Sequence, residues 1–161
     1  MSDAGGSVRC MLMPLPSMHF LIPNSAVAEI IGYSSPTPLP DCSKWFPGVV
    51  SWRGVYVPVI WPEELCSGYI APISPRARIA MLYNPSRDET LPYFGIIIQD
   101  IPRAYLAESG KMMSSSDDDL NQYLLTRVDE DHLARVIPDV DKIIAALKLE
   151  YSQEKVAQVI R

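Results

Sequence analysis

Cysteine, histidine and basic residues are scarce in this chain, and each shortage removes a class of function. Its three cysteines, Cys10, Cys42 and Cys66, are odd in number and far apart, with no C-x-x-C pair. Its two histidines, His19 and His132, do not stand at zinc-ligand spacing, so neither a disulfide framework nor a structural metal is expected. With 14 Lys and Arg against 19 Asp and Glu, and a formal net charge of −5, the chain does not have the clustered cations that a phosphate backbone calls for. Long apolar runs are missing as well: no stretch is long enough to span a bilayer, and residues 1–7 have neither the basic lead nor the apolar run of a leader. These absences predict a soluble, cytoplasmic protein with no cofactor, no metal, no nucleic-acid partner and no membrane insertion. The partner left is another protein or a small ligand.

Catalysis is poorly provided for. A nucleophile needs an orienting base, and only His19 and His132 are on offer. His19 sits in a strand pattern beside Phe20, and His132 follows three acids in a polar run, so a packed and a solvated histidine are expected. The thiol–base pair open to an enzyme would be Cys42 with His19. Asp117, Asp118 and Asp119 are consecutive and so do not have the alternate spacing of a calcium loop. They read as a solvated run.

What the chain has in quantity is proline, 15 residues of it, among short β-branched and aromatic segments. At 161 residues it suits one domain burying ~70% of its unfolded surface, with no room for a kinase or receiver domain. Residues 8–13 and 18–22 read as a strand pair, and 26–31 as a single helical turn capped by Asn24 or Ser25, with Val27 and Ile30 on one side. Residues 33–40 form an extended proline-rich connector. Val49 to Trp52 and Val55 to Val57 then make a hairpin around Arg53-Gly54, and Pro58 sets the second strand at an edge, a bulge or a corner. A short helix is expected from Pro62, an alternating strand over 76–83, a charged loop over 84–90 and a wholly apolar strand over 92–98. Residues 111–119 read as a polar loop leading to a short helix through Leu120, Tyr123 and Leu124. Strands over 126–128 and 134–137 follow, then an amphipathic helix over 139–149 and a second one capped at Ser152. Short strands at close spacing predict a mainly β fold, barrel or sandwich.

Several segments together resemble one family. Gly48-Val49-Val50, Arg53-Gly54 and Val57-Pro58-Val59-Ile60 look like the central motif of CheW-like coupling proteins of bacterial chemotaxis. Val27-Ala28-Glu29-Ile30 resembles their V-x-E-I element, Gly95 to Ile101 their G-(apolar)3-D-x-V strand, and Val136 to Ile144 their closing segment. The resemblance spans about residues 18–145 and leaves 146–161 as a helical extension. It implies two small SH3-like five-stranded β-barrels sharing a core, with short helices and a C-terminal helix. It also implies a non-catalytic adaptor between a methyl-accepting receptor's cytoplasmic tip and a histidine kinase's regulatory domain, recruited to membrane receptor arrays. Carried over position by position, Val27, Glu29, Ile30, Gly48, Arg53 and Gly54 would lie at partner interfaces. Gln99 stands where the family carries aspartate and Pro138 where it carries leucine, which implies a divergent branch such as one serving pili or surface motility. From the residues alone, a β-barrel module for small ligands or nucleic acid and a cysteine-dependent enzyme stay open. Trp45, Phe46 and Trp52 stay open between two readings: core, the commoner fate of aromatics, and an exposed partner anchor beside the proline-glycine corner.

Overall fold

The structure is a computed structural model and describes residues 6–108, 114–115, 122–130 and 133–160. Among them, eleven strands and three α-helices follow in order. They are β1 (Ser7–Pro14), β2 (His19–Pro23), a 3-10 turn (Asn24–Ala26), β3 (Val27–Gly32), β4 (Gly48–Trp52), β5 (Val55–Ile60), α1 (Pro62–Ser67), β6 (Arg78–Tyr83) and β7 (Tyr93–Ile98). The chain continues with β8 (Arg103–Glu108), β9 (Ser114–Ser115), β10 (Leu124–Glu130), β11 (Leu133–Pro138), α2 (Val140–Glu150) and α3 (Gln153–Val159).

The strands sort into two sheets. One runs β8-β1-β2-β11-β10-β9, its sixth member being the two-residue β9, and the other runs β3-β6-β7-β5-β4. The expected pair of small five-stranded, SH3-like units is met, with β9 added at one rim. The hint of two similar halves at Pro58 and Pro138 also has a counterpart. In each sheet an antiparallel hairpin (β4-β5 or β10-β11) sends its second strand into a short parallel pairing, Val59 and Ile60 with β7, Arg135 and Val136 with β2. A helix follows each hairpin.

Two-sided burial explains the apolar strands. Ile96 and Ile98 face a core shared by both sheets and by Ile143, Ile144 and Leu147 of α2. Ile97 faces the interior of the five-stranded unit with Val50, Trp52, Val57, Val59, Ile79 and Met81. A strand covered on both sides has no polar face to alternate with, so β7 is apolar throughout. A smaller interior of Cys10, Leu12, Leu21 and Ala107 fills the other unit.

Four expectations are corrected. The helical turn over 26–31 is a 3-10 turn followed by strand β3, and neither Asn24 nor Ser25 caps it by a side chain. A bulge shifts the β3–β6 register between Val27 and Glu29, so Val27 and Ile30 face the shared core while Ala28 and Ile31 face the second interior. The extra residue imitates a helical spacing of three. Second, β5 lies inside its sheet and carries a parallel pairing. Val49 exchanges both its backbone bonds with Thr37 (2.8 and 2.9 Å), so its pair with Pro58 is a non-hydrogen-bonded one. Pro58's missing N–H therefore points toward β7, whose ladder begins only at Val59. Third, no helix runs through Tyr123 and Leu124, because a turn gives way there to β10. Leu120, Asp117 to Asp119 and His132 lie outside the described residues. Fourth, β8 was not expected. Of its six residues only Ala107 is buried, so it writes no apolar pattern.

The C-terminal helices follow the sequence closely. The Asp139 side chain accepts from the Lys142 N–H and caps α2, and the Ser152 hydroxyl accepts from the Lys155 N–H and caps α3. Val156 and Tyr151 join the shared core, so the extension packs back on the domain.

Candidate functional site

The two outer strands of the five-stranded sheet, β3 and β4, meet through side chains. Arg53 (φ 50°) and Gly54 (φ 79°) form the two-residue turn between β4 and β5, both left-handed, the geometry that matches the twist of a hairpin. This turn aims Arg53 at β3, where its Nη2 donates to Glu29 Oε1 at 2.7 Å. Trp52 Nε1–H donates to the other carboxylate oxygen at 3.3 Å, and the Arg53 guanidinium lies over the Trp52 ring, 4.5 Å from its centre. Glu29 thus serves as the common acceptor of an arginine and an indole on the opposite rim. Those two hydrogen bonds, Arg53's first, hold its carboxyl below the usual range. The Arg53 and Glu29 side chains stay 59% and 40% exposed, so the pair is open to a partner and contributes little to stability.

Of the six candidate residues, Glu29, Arg53 and Gly54 come together at this corner. Val27 and Ile30 are half-buried against the shared core. Gly48 is buried at the other end of β4 with φ 141°, where an added Cβ would lie 1.9 Å from the Thr37 carbonyl oxygen. Its role is close backbone approach. Of the two readings open for the aromatics, core is the one observed: Phe46 and Trp52 are buried and Trp45 is half-buried, all packed into core. Trp52 is needed inside because its indole closes the corner.

Sequence reading missed a groove. A cavity of about 290 Å³ opens where the two sheets meet, between Ile22 of β2, Ala26, Phe94 of β7, Ile137 of β11 and Val140 of α2, with Ser25 and Tyr83 on its rim. These residues come from four stretches scattered along the chain, so no local motif announces them. The lining is predominantly apolar.

The cysteines lie apart from both features. Burial pushes all three thiols up, Cys66 to about 12 by burial first and the Glu63 carboxylate second. A nucleophilic thiol needs the opposite shift. Cys42, in the connector between β3 and β4, sits against Glu150 and Lys155, whereas His19 is in the six-stranded sheet, where burial first and then Arg135 and Arg103 lower its pKa. The structure therefore does not assemble the thiol–base pair. In the folded protein at pH 8, Cys66 is expected to resist iodoacetamide and to label only once urea is added, read by mass spectrometry. Rapid labelling of the native protein at Cys66 would contradict this environment. Arg76 Nε donates to Asp100 at 2.7 Å, and the Arg78 guanidinium turns to the backbone carbonyls of Arg76 and Ala77. Among the described residues, no helix is long and apolar enough to cross a membrane.

No curated protein sequence matches the chain. Among solved structures, the scaffolding protein TtCheW from Thermoanaerobacter tengcongensis superposes with a TM-score of 0.70 at 14% identity, over 83% of this chain and 84% of that one. At that identity the likeness is one of fold. The sequence model of the CheW-like domain matches residues 9–148, which takes in both sheets and the Glu29–Arg53 corner, and with the two-sheet architecture it establishes that the chain belongs to the CheW-like domain family.

Proposed function

We propose that this protein is a non-catalytic chemosensory adaptor that couples the cytoplasmic tip of a methyl-accepting receptor to the regulatory domain of a histidine kinase. The observation that carries the reading is the apolar groove between the sheets, with Ile22, Phe94, Ile137 and Val140 along it. An amphipathic receptor helix buries its apolar stripe in such a groove, reading it through residues one turn apart. The Glu29–Arg53 corner offers that partner a charged contact that fixes orientation more than it adds affinity. To the kinase domain we assign the loop of Tyr69, Ile70 and Ile73, which are 53%, 40% and 38% exposed. Exposed apolar side chains so close in sequence are characteristic of a docking patch. The protein would act in the cytoplasm, at receptor arrays, and the departures at Gln99 and Pro138 favour a branch serving pili or surface motility.

Two substitutions separate the surfaces. Ser25→Trp fills the groove from an exposed position, and Ile70→Asp charges the loop. In pull-downs with a receptor signalling tip and a kinase regulatory domain, Ser25→Trp is expected to weaken receptor capture by about tenfold and spare the kinase. Ile70→Asp is expected to do the reverse. Receptor capture that is indifferent to Ser25→Trp would sink the groove assignment.

Charge reversal at the corner tests the second contact. Glu29→Arg or Arg53→Glu alone should weaken receptor capture with little change in Tm, because exposed pairs seldom govern stability. The double exchange rebuilds the pair with its polarity inverted. Recovery of capture in the double variant would show that the pair only braces the corner and does not touch the receptor.

A further inference from the structure

A second cavity of about 290 Å³ has a different lining. Three tyrosines, Tyr56, Tyr93 and Tyr151, and the rings of Pro58 and Pro92 wall it, and Glu89 stands on it. The walls are braced. Tyr93 packs edge-on against Trp52 at 4.9 Å and beside Tyr83 at 5.6 Å. Tyr151 packs edge-on against Phe46 at 6.4 Å, and its hydroxyl accepts from Gln153 Nε2 at 2.9 Å. Tyr56 is 41% exposed, so its ring is presented to a ligand. Tyr151 and Gln153 follow the last residue of the family match, so the groove is completed by chain outside it.

The lining restricts what can enter. Strand addition finds little purchase on the open side of Val55 to Pro58: the β7 ladder begins only at Val59, and of Tyr56 and Pro58, whose backbone faces that side, Pro58 has no N–H to give. Aromatic and proline rings suit instead a ligand that presents pyrrolidine rings and keeps its own backbone solvated, as a polyproline II segment does. Charge narrows the choice further. Asp88 is taken up by Lys148, but Glu89 is exposed and makes no ion pair among the described residues, which leaves a carboxylate for a cation on the ligand. We propose that this groove binds an extended, proline-containing peptide segment bearing a basic residue, with Tyr56 stacking on the prolines and Glu89 pairing with the cation. The proposal does not depend on the receptor groove or on the kinase loop.

The test uses the full chain and a fluorescein-labelled decapeptide of alternating proline and leucine with two terminal arginines, followed by anisotropy. Two control peptides carry alanine for every proline, or glutamate for both arginines. Saturable binding of the first peptide is expected, weakened about tenfold by Tyr56→Ala and by Glu89→Lys at unchanged Tm, since both residues are exposed. Binding unaltered by Tyr56→Ala, equal binding of either control, or no binding of the arginine peptide at all would each overturn the proposal.

Discussion

Gly48→Ala is expected to lower the melting temperature by ~10–15 °C, or to leave too little folded protein to melt. Gly48 has φ 141°, a conformation that residues with a Cβ rarely adopt, and it lies under the connector between β3 and β4. An alanine Cβ would stand 1.9 Å from the Thr37 carbonyl oxygen and 2.4 Å from its carbon. Those atoms are backbone, so no side chain can swing aside. Relief requires Thr37 to withdraw, which breaks both of its hydrogen bonds to Val49. Backbone strain and two lost bonds together cost about 3–5 kcal/mol, and each kcal/mol moves the Tm of a domain this size by ~2–4 °C. Gly54→Ala is the control: its φ of 79° is also left-handed, yet nothing lies within 4 Å of the added atom. That substitution should cost about 1 kcal/mol. Equal melting temperatures for the two variants would mean that the connector does not cross at Gly48.

The second large effect is expected from Leu147→Ala. Leu147 is fully buried on α2, in the core that draws Met13, Phe20 and Val136 from the six-stranded sheet and Ile60, Leu82, Phe94 and Ile96 from the five-stranded one. Truncating a leucine at such a site costs about 2–5 kcal/mol, from lost transfer energy and from the cavity left behind. Because both sheets lean on the same helix, they are expected to unfold together. Circular dichroism of the strands and fluorescence of the three tryptophans, Trp45, Trp52 and Trp61, should give one coincident transition, displaced downward in the variant. Two separated transitions, or a loss under ~1 kcal/mol, would mean that α2 belongs to one sheet only.

Much of this architecture can be read from the residues because strong local signals agree with burial. The run Gly95 to Ile98 is apolar in a way only a strand covered on both sides requires, and Asp139 and Ser152 are side-chain caps that announce their helices. Where signal and burial part, the reading fails. The bulge at Val27 to Glu29 disguises a strand as a helical turn, and β8 hides because nearly all its side chains face outward. The site divides along the same line. Arg53-Gly54 is a local turn and is visible as such, and the family resemblance supplied Glu29, but that Trp52 turns inward to hold Glu29 is a tertiary fact. The two grooves are less visible still, since each is assembled from segments far apart in the chain.

The interleaved order of the two sheets has a bearing on synthesis. Every strand of the five-stranded sheet lies between Val27 and Ile98, so that sheet can close while the chain is still emerging from the ribosome. The six-stranded sheet cannot be completed so early. His19 must wait for Arg135, its register partner in β11, and until then the edge of β2 is bare. Such long-range pairing slows folding, and a nascent chain with an open strand edge is where a chaperone would find its purchase.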